Sequence, residues 1–275
     1  VFRRSIYKTP AQLRAMVEPG LITAASVDAA GAAIAAGVTT AAVDEAASSA
    51  VLARGAESNF KLVRGYHHTT CISVNEQVVH GIPGSRVLEP GDIVSVDSGA
   101  QYQGWNGDSA RTFIVPDPSR PDLVAARSEL SRVTEGSMWA GIAAMASARH
   151  LGDIGAAIQD YIEAQGEYGI LREYVGHGIG RKMHEAPSVF NYRTPDLGAE
   201  VKPGLVLAIE PMVTAGSDQT FVEDDDWTVS TVDGSDGSHW EHSVAVHADG
   251  IWVLTVADGG AAGLAPFNVT PTPIP

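Results

Sequence analysis

The chain has 275 residues, 33 of them Asp or Glu against 18 Lys or Arg, for a formal net charge of -15, with 44% hydrophobic and 19% charged residues. That composition is ordinary for a globular protein and excludes a disordered one. Its acidity argues against nucleic acid or an anionic membrane as the main partner, since both require a basic face. In chain order, Arg3-Arg4 is followed by no apolar run, so no secretory signal is expected. Thr9-Pro10-Ala11-Gln12 predicts a helix start, with Thr9 as N-cap, Pro10 at N1 and Gln12 completing a capping box. This helix is expected to run to Ala36 and stop at Gly37, and a second to cover Ala41 to Arg54, closed by Gly55. The Ala-rich run from Ala29 to Ala36 is far shorter than the ~20 apolar residues of a membrane span. From Cys71 to Val115, Val and Ile with Pro-Gly and Gln-Gly punctuation predict strands and hairpins. Helix returns over residues 121–148, and Asp153 is expected to cap another from Ile154 to Gln165, closed by Gly166. Apolar strands are expected at Leu205 to Val213, Ser243 to His247 and Ile251 to Val256, the last two joined by an Asp249-Gly250 turn. Residues 258–275, rich first in Gly and Ala and then in Pro, predict a flexible tail. The fold class is α+β, helices beside antiparallel strands.

Cys71 is the only cysteine, which rules out an intrachain disulfide and a cysteine-rich zinc site and points to a reducing, cytoplasmic setting. An internal repeat carries more information. Leu88-Glu89-Pro90-Gly91-Asp92-Ile93-Val94-Ser95-Val96-Asp97 parallels Val201-Lys202-Pro203-Gly204-Leu205-Val206-Leu207-Ala208-Ile209-Glu210. In each, a Pro-Gly turn leads into an apolar strand that ends on a carboxylate. Upstream stand His80-Gly81-Ile82-Pro83 and His184-Glu185-Ala186-Pro187. A duplicated hairpin with only a structural role would not require those carboxylates, so the two halves are read as each delivering an imidazole and a carboxylate to one site.

A tight turn centred on Tyr102-Gln103 would set Asp97 directly opposite Asp108, with Cβ atoms roughly 5 Å apart. Two like charges in buried-strand sequence are destabilising unless a cation or a proton lies between them. Glu210 and Glu241 stand beside apolar strands in the same way, and His177 lies in Gly176-His177-Gly178-Ile179-Gly180, where glycines allow close backbone packing. Four carboxylates and one histidine form a hard donor set suited to two divalent ions of the manganese, iron, cobalt or zinc type.

These motifs together resemble the short bacterial type I methionine aminopeptidases, which have the pita-bread fold. The likeness runs from about Thr9 to Val256. It rests on Cys71-Ile72-Ser73-Val74-Asn75-Glu76 with Val79-His80-Gly81-Ile82-Pro83, on Asp97 and Asp108, on the His177 and His184 segments, on Ile209-Glu210-Pro211-Met212 and on Trp240-Glu241-His242. The resemblance implies one catalytic domain over residues 1–257, with pseudo-repeats at about 37–115 and 150–213. It implies that Asp97 chelates one metal, that Asp108 and Glu241 bridge both, and that His177 and Glu210 complete the other. His80 and His184 would contact the substrate around the scissile peptide, Glu210 would move a proton, and Tyr66, Cys71, Met183 and Trp227 would form an apolar pocket for the first side chain. The implied reaction is removal of N-terminal methionine from nascent chains with a small second residue, by attack of metal-activated water. The implied setting is a cytoplasmic monomer with the ribosome exit tunnel nearby. Lys61, Arg64, Arg181 and Lys182 are read as scattered surface charges. Two departures from the family pattern stand out: a short segment between Tyr66 and Cys71, and Asn106 where a histidine is common. A prolidase or Xaa-Pro aminopeptidase would use the same ligand types, and a catalytically silent relative would share the fold.

Overall fold

The computed structural model describes residues 5–275, and the Arg3-Arg4 pair lies outside them. The first half contains α1 (Pro10–Ala15), α2 (Val17–Ala33) and α3 (Thr40–Ala53), then β1 (Glu57–Ser58), β2 (Thr70–Val74), β3 (Gln77–Val79), β4 (Ile93–Tyr102) and β5 (Trp105–Ile114). The second half opens with α4 (Pro121–Ala144) and α5 (Leu151–Gln165). Short strands follow: β6 (Gly169–Ile170), β7 (Gly176–Gly178), β8 (Glu185–Val189), β9 (Val206–Ile209) and β10 (Met212–Thr214). The last elements are β11 (Thr220–Val222), β12 (Val229–Thr231), β13 (Gly237–His239), β14 (Glu241–His247), β15 (Gly250–Val253) and α6 (Ala261–Leu264).

The Thr9 capping box forms as expected. The helix expected to run unbroken to Ala36 is instead two, parted at Met16, and the second ends at Ala33. Pro19 explains the break: it has no N–H for a bond to Ala15, and its ring would clash with that carbonyl. Restarting at Val17 puts Pro19 in the tolerant first turn. Asp153 is not the N-cap of α5; it stands at N3 and its Oδ2 accepts from the backbone N–H groups of Arg149 (2.8 Å) and His150 (3.1 Å). Pro211 likewise divides the expected strand Leu205 to Val213 into β9 and β10. The last hairpin forms with Ala248-Asp249 as its loop, because His247 pairs with Gly250.

Among the described residues nine strands make the main sheet, in the order β1-β4-β5-β14-β9-β7-β8, with β2 beside β1 on β4 and β15 beside β5 on β14. The repeat is visible in it. β2 pairs β4, which pairs β5, and β7 pairs β9, which pairs β14, all antiparallel. Each half has its own helix pair and its own apolar core. Val43, Ala47, Ile72, Val94 and Val96 cluster in the first half, and Ile142, Ile154, Ile158, Leu207 and Val244 in the second.

The halves meet at β5 and β14, where the backbone ladder is only two residue pairs long, Glu241 with Ala110 and His242 with Ser109. Buried hydroxyls extend this seam. Ser243 Oγ accepts from Asp108 N–H at 3.1 Å and donates to Asp108 O at 2.8 Å. Thr112 Oγ1 donates to His239 O at 2.8 Å and Ser109 Oγ to Glu241 O at 2.8 Å.

Residues 258–275 lie against this domain. Leu264 is buried in the second core, Thr272 N–H donates to Ile251 O at 3.0 Å, and Arg14 Nη1 donates to Pro275 O at 2.7 Å. Ile274 packs with Leu13 and Met16, so a few apolar side chains spaced among the prolines are enough to seat the segment.

Candidate active site

The β4–β5 hairpin turns on Gln103-Gly104, whose φ angles of 50° and 73° are the paired positive values of a type I′ turn. The turn is therefore centred one residue later than expected. Asp97 faces Ala110 and Asp108 faces Gly99, so the two aspartates are diagonal neighbours rather than direct partners. Moving the turn centre by one residue shifts the pairing by two, and since side chains alternate with a period of two the shared face survives.

Five neighbouring strands supply the remaining geometry. Asp97 comes from β4, Asp108 from β5, Glu241 from β14, Glu210 from the residue after β9 and His177 from β7. Oxygens of Asp97, Asp108 and Glu241 lie within 4.8 Å of one another, and so do donor atoms of His177, Glu210 and Glu241. Glu241 belongs to both groups. His177 Nε2 stands 3.3 Å from Glu210 Oε1 and 3.9 Å from Asp108 Oδ2. Its Nδ1 lies 3.0 Å from Gly178 O, and a carbonyl only accepts, so Nδ1 carries the proton and Nε2 offers its lone pair to the carboxylates. The flanking glycines are required: a Cβ on Gly176 would come 2.4 Å from Ala208 O, and one on Gly178 2.3 Å from Ala186 O.

The electrostatics show what the cluster lacks. Burial lifts Asp97 to about 8, and burial with mutual repulsion raises Asp108, Glu210 and Glu241 well above the usual carboxylate range. Asp97 Oδ1, Asp108 Oδ1 and Glu241 Oε1 are buried without a hydrogen-bond partner, and no Lys or Arg is among the described residues lining the cavity. Buried carboxylate oxygens that accept nothing and face one another fit divalent cations, which such a hard donor set binds well. Burial holds His177 and His80 down to about 4, with His184 adding to the effect on both, and burial lowers His184 too, so all three are neutral at pH 7.

All eleven site residues expected from the sequence line one cavity of about 140 Å³, and Phe60 and Val63 complete its wall. Tyr66, Cys71, Met183 and Trp227 pack together at its apolar end. The Tyr66 ring centre is 5.0 Å from that of Trp227, and its hydroxyl donates to Thr70 O at 2.6 Å. Burial keeps both the Tyr66 phenol and the Cys71 thiol protonated. His80 sits in left-handed backbone at φ 62°, edge-on to Tyr174 at 5.4 Å, and the His184 ring is 4.4 Å from that of His177. Sequence reasoning missed Phe60, Val63 and His239. His239 is fully buried, with Nε2 3.7 Å from Glu210 Oε2. Its place two residues before Glu241 was the available signal, since alternation along a strand puts both on one face. Asn106, at the position where a histidine is common, uses its Nδ2 to donate to Gly180 O at 2.9 Å and so ties β5 to the His177 segment.

The profile of metallopeptidase family M24 matches residues 14–248. The chain is 43% identical over 250 residues to methionine aminopeptidase 1 of Bacillus subtilis, covering 91% of this chain and 98% of that protein. It is 44% identical over 255 residues to methionine aminopeptidase 1 of Mycobacterium tuberculosis, covering 90% and 94%. The crystal structure of methionine aminopeptidase from Thermotoga maritima superposes with a TM-score of 0.85 at 39% identity, over 90% of this chain and 98% of that one. Prolidase from Pyrococcus furiosus, at 22% identity and a TM-score of 0.71 over 92% of this chain and 66% of that one, shares the pita-bread fold. The five-residue donor cluster, the repeat that builds it and these likenesses agree: the chain belongs to metallopeptidase family M24 and, within it, to the methionine aminopeptidases.

Proposed function

We propose that this protein is a metal-dependent methionyl aminopeptidase that removes the first methionine from nascent polypeptides with a small second residue. The observation that carries this reading is the pair of donor groups sharing Glu241, set at the polar end of a small apolar cavity. At about 140 Å³ the cavity is well below the roughly 300–1,000 Å³ of a drug-sized ligand site, so it holds one side chain. Thioether, indole and phenol walls suit a methionine. Catalysis is assigned to a single domain, residues 1–257.

Asp97, Asp108 and Glu241 would hold one divalent ion and His177, Glu210 and Glu241 a second, with Asp108 also reaching the second; cobalt, manganese, iron and zinc all suit these donors. Bound there, such ions supply Lewis acidity, polarising the scissile carbonyl and acidifying bound water. The protein's own groups do the rest. Neutral His184 donates to the carbonyl oxygen as negative charge develops on it, a contribution of ~3 kcal/mol for a well-placed donor. Glu210 takes the attacking water's proton on a carboxylate oxygen and passes it to the departing nitrogen, which His80 contacts. The setting is the cytoplasm, where the chain acts as a monomer close to the ribosome exit tunnel. No helix among the described residues is long and apolar enough to cross a membrane.

Comparing Met-Ala-Ser with Ala-Pro-Ala tests the assignment. Cleavage after methionine is expected with kcat/KM at least ~100-fold higher; the reverse order would favour an Xaa-Pro peptidase, and no hydrolysis of either by metal-loaded protein would favour a silent relative. Trp227→Ala removes one wall of the pocket, and burial of a large side chain contributes about 1.5–3 kcal/mol. KM for Met-Ala-Ser is therefore expected to rise at least ~10-fold with kcat nearly unchanged. A fall in kcat at constant KM would place Trp227 elsewhere in the mechanism.

A further inference from the structure

A second, larger cavity opens beside the first. Its wall is formed by residues 5–9 and Gln12 on one side and by Trp105, Arg181, Lys182, His184, Glu185 and Ala186 on the other, and among the described residues His184 alone lines both. The methionine pocket accounts for one side chain, so the polypeptide beyond the scissile bond must leave past His184, and this groove begins there.

The groove's charge differs from that of the molecule. The chain as a whole carries -15. Among the described residues lining the groove the only acidic side chain, Glu185, is held by Lys8 at 3.0 Å, so the two cancel. Two cations remain. Arg181 lies over the Trp105 ring at 3.9 Å and donates to Gln103 O (3.1 Å) and Gly104 O (3.0 Å), carbonyls that leave its charge uncompensated. Lys182 is exposed and its ammonium makes no ion pair among the described residues. Arg181 is fixed by the tip of the β4–β5 hairpin, whereas Lys182 is free to follow a ligand.

We propose that this groove binds the substrate chain downstream of the second residue, and that Arg181 and Lys182 make the enzyme prefer acidic residues there. The inference rests on the methionyl aminopeptidase reading and adds a second level of selection to it. Solvent-exposed pairs of this kind are modest and screened by salt. At low ionic strength Met-Ala-Ser-Glu-Glu is expected to be cleaved with a kcat/KM about 3–10-fold above that of Met-Ala-Ser-Lys-Lys, through KM and association rather than kcat. The ratio should fall towards one in ~0.5 M salt.

The test measures this ratio, with Met-Ala-Ser alongside, for metal-loaded wild type and for Lys182→Glu. A ratio within one enzyme cancels any general loss of activity in the variant. A wild-type ratio above ~3 that drops to one or below in Lys182→Glu supports the proposal. A wild-type ratio near one while Met-Ala-Ser is cleaved overturns the proposal and leaves the aminopeptidase reading standing. A preference that Lys182→Glu does not change also overturns it, because the selection would then come from outside the groove. No cleavage of Met-Ala-Ser overturns both.

Discussion

Glu241→Ala is expected to lower kcat/KM on Met-Ala-Ser by ~10³-fold or more and to reduce the divalent metal recovered with the protein. Asp97 and Glu210 each stand in one donor group, whereas Glu241 stands in both, so its removal opens both ion positions at once. Lewis-acid stabilisation is worth several kcal/mol, and each ~1.4 kcal/mol is a factor of ten in rate. The near-isosteric Glu241→Gln separates chemistry from stability. It too should be inactive, but in metal-free protein it removes one of four mutually repelling buried carboxylates. Its metal-free Tm at pH 8 is expected to exceed that of metal-free wild type by ~2–4 °C, the shift for about 1 kcal/mol in a chain of this size. At pH 5 the difference should vanish, because wild-type Glu241 then carries a proton that makes it as neutral as glutamine. Elemental analysis, steady-state kinetics and calorimetry on the two variants check these outcomes; wild-type-like turnover by either would remove Glu241 from the metal site.

Stripping the metals is expected to abolish activity and to expose a dependence of stability on pH that the loaded protein lacks. The sign follows from proton binding. Asp97 titrates at about 8 in the folded chain against 3.8 as its ordinary value, and Asp108, Glu210 and Glu241 are also raised. Between pH 4 and pH 8 these four groups hold more protons in the folded metal-free state than in the unfolded one, and their contribution to stability falls as pH rises. The buried histidines oppose this only at lower pH. His80 and His177 at about 4, and His239 and His242 at about 3, are neutral in the folded chain at neutral pH, and they destabilise the fold only where the unfolded chain, with its ordinary value of 6.5, binds protons they refuse, an effect that is mostly gone above pH 7. In the window from pH 7 to 8 the carboxylates dominate, and the loss is ~1.4 kcal/mol per pH unit for each extra proton held. A falling metal-free Tm across that window is the expected result, and a rising one would contradict it. Adding metal should remove the slope and expel the protons, measurable by titration calorimetry in buffers of different ionisation heat.

The site proved more legible in the sequence than the fold around it. Carboxylates ending apolar strands are conspicuous because desolvation makes them costly, and all eleven expected side chains line one cavity. Register was harder. The choice between Tyr102-Gln103 and Gln103-Gly104 as the turn depends on a positive φ at each central residue, for which the glycine was the clue. The Met16 break and the β9–β10 division both follow from a proline that the apolar pattern concealed. Phe60 and Val63 lie outside any periodic run of strand or long helix and reach the pocket only through tertiary packing. The seating of residues 258–275 was hidden for the opposite reason: composition pointed to mobility while a few apolar positions determined contact.

The seam at β5 and β14 gives the molecule a property of an assembly. Asp97 and Asp108 belong to one half and His177, Glu210 and Glu241 to the other, and only two backbone pairs join the central strands. The Asp97, Asp108 and Glu241 donor group is complete in neither half, so that ion site is an interface between two partners that happen to be covalently connected. The connecting segment sets the effective concentration of one partner for the other, as a linker does in a tethered pair. An ion held across this junction works as a clasp, and its release and the parting of the two halves are coupled events.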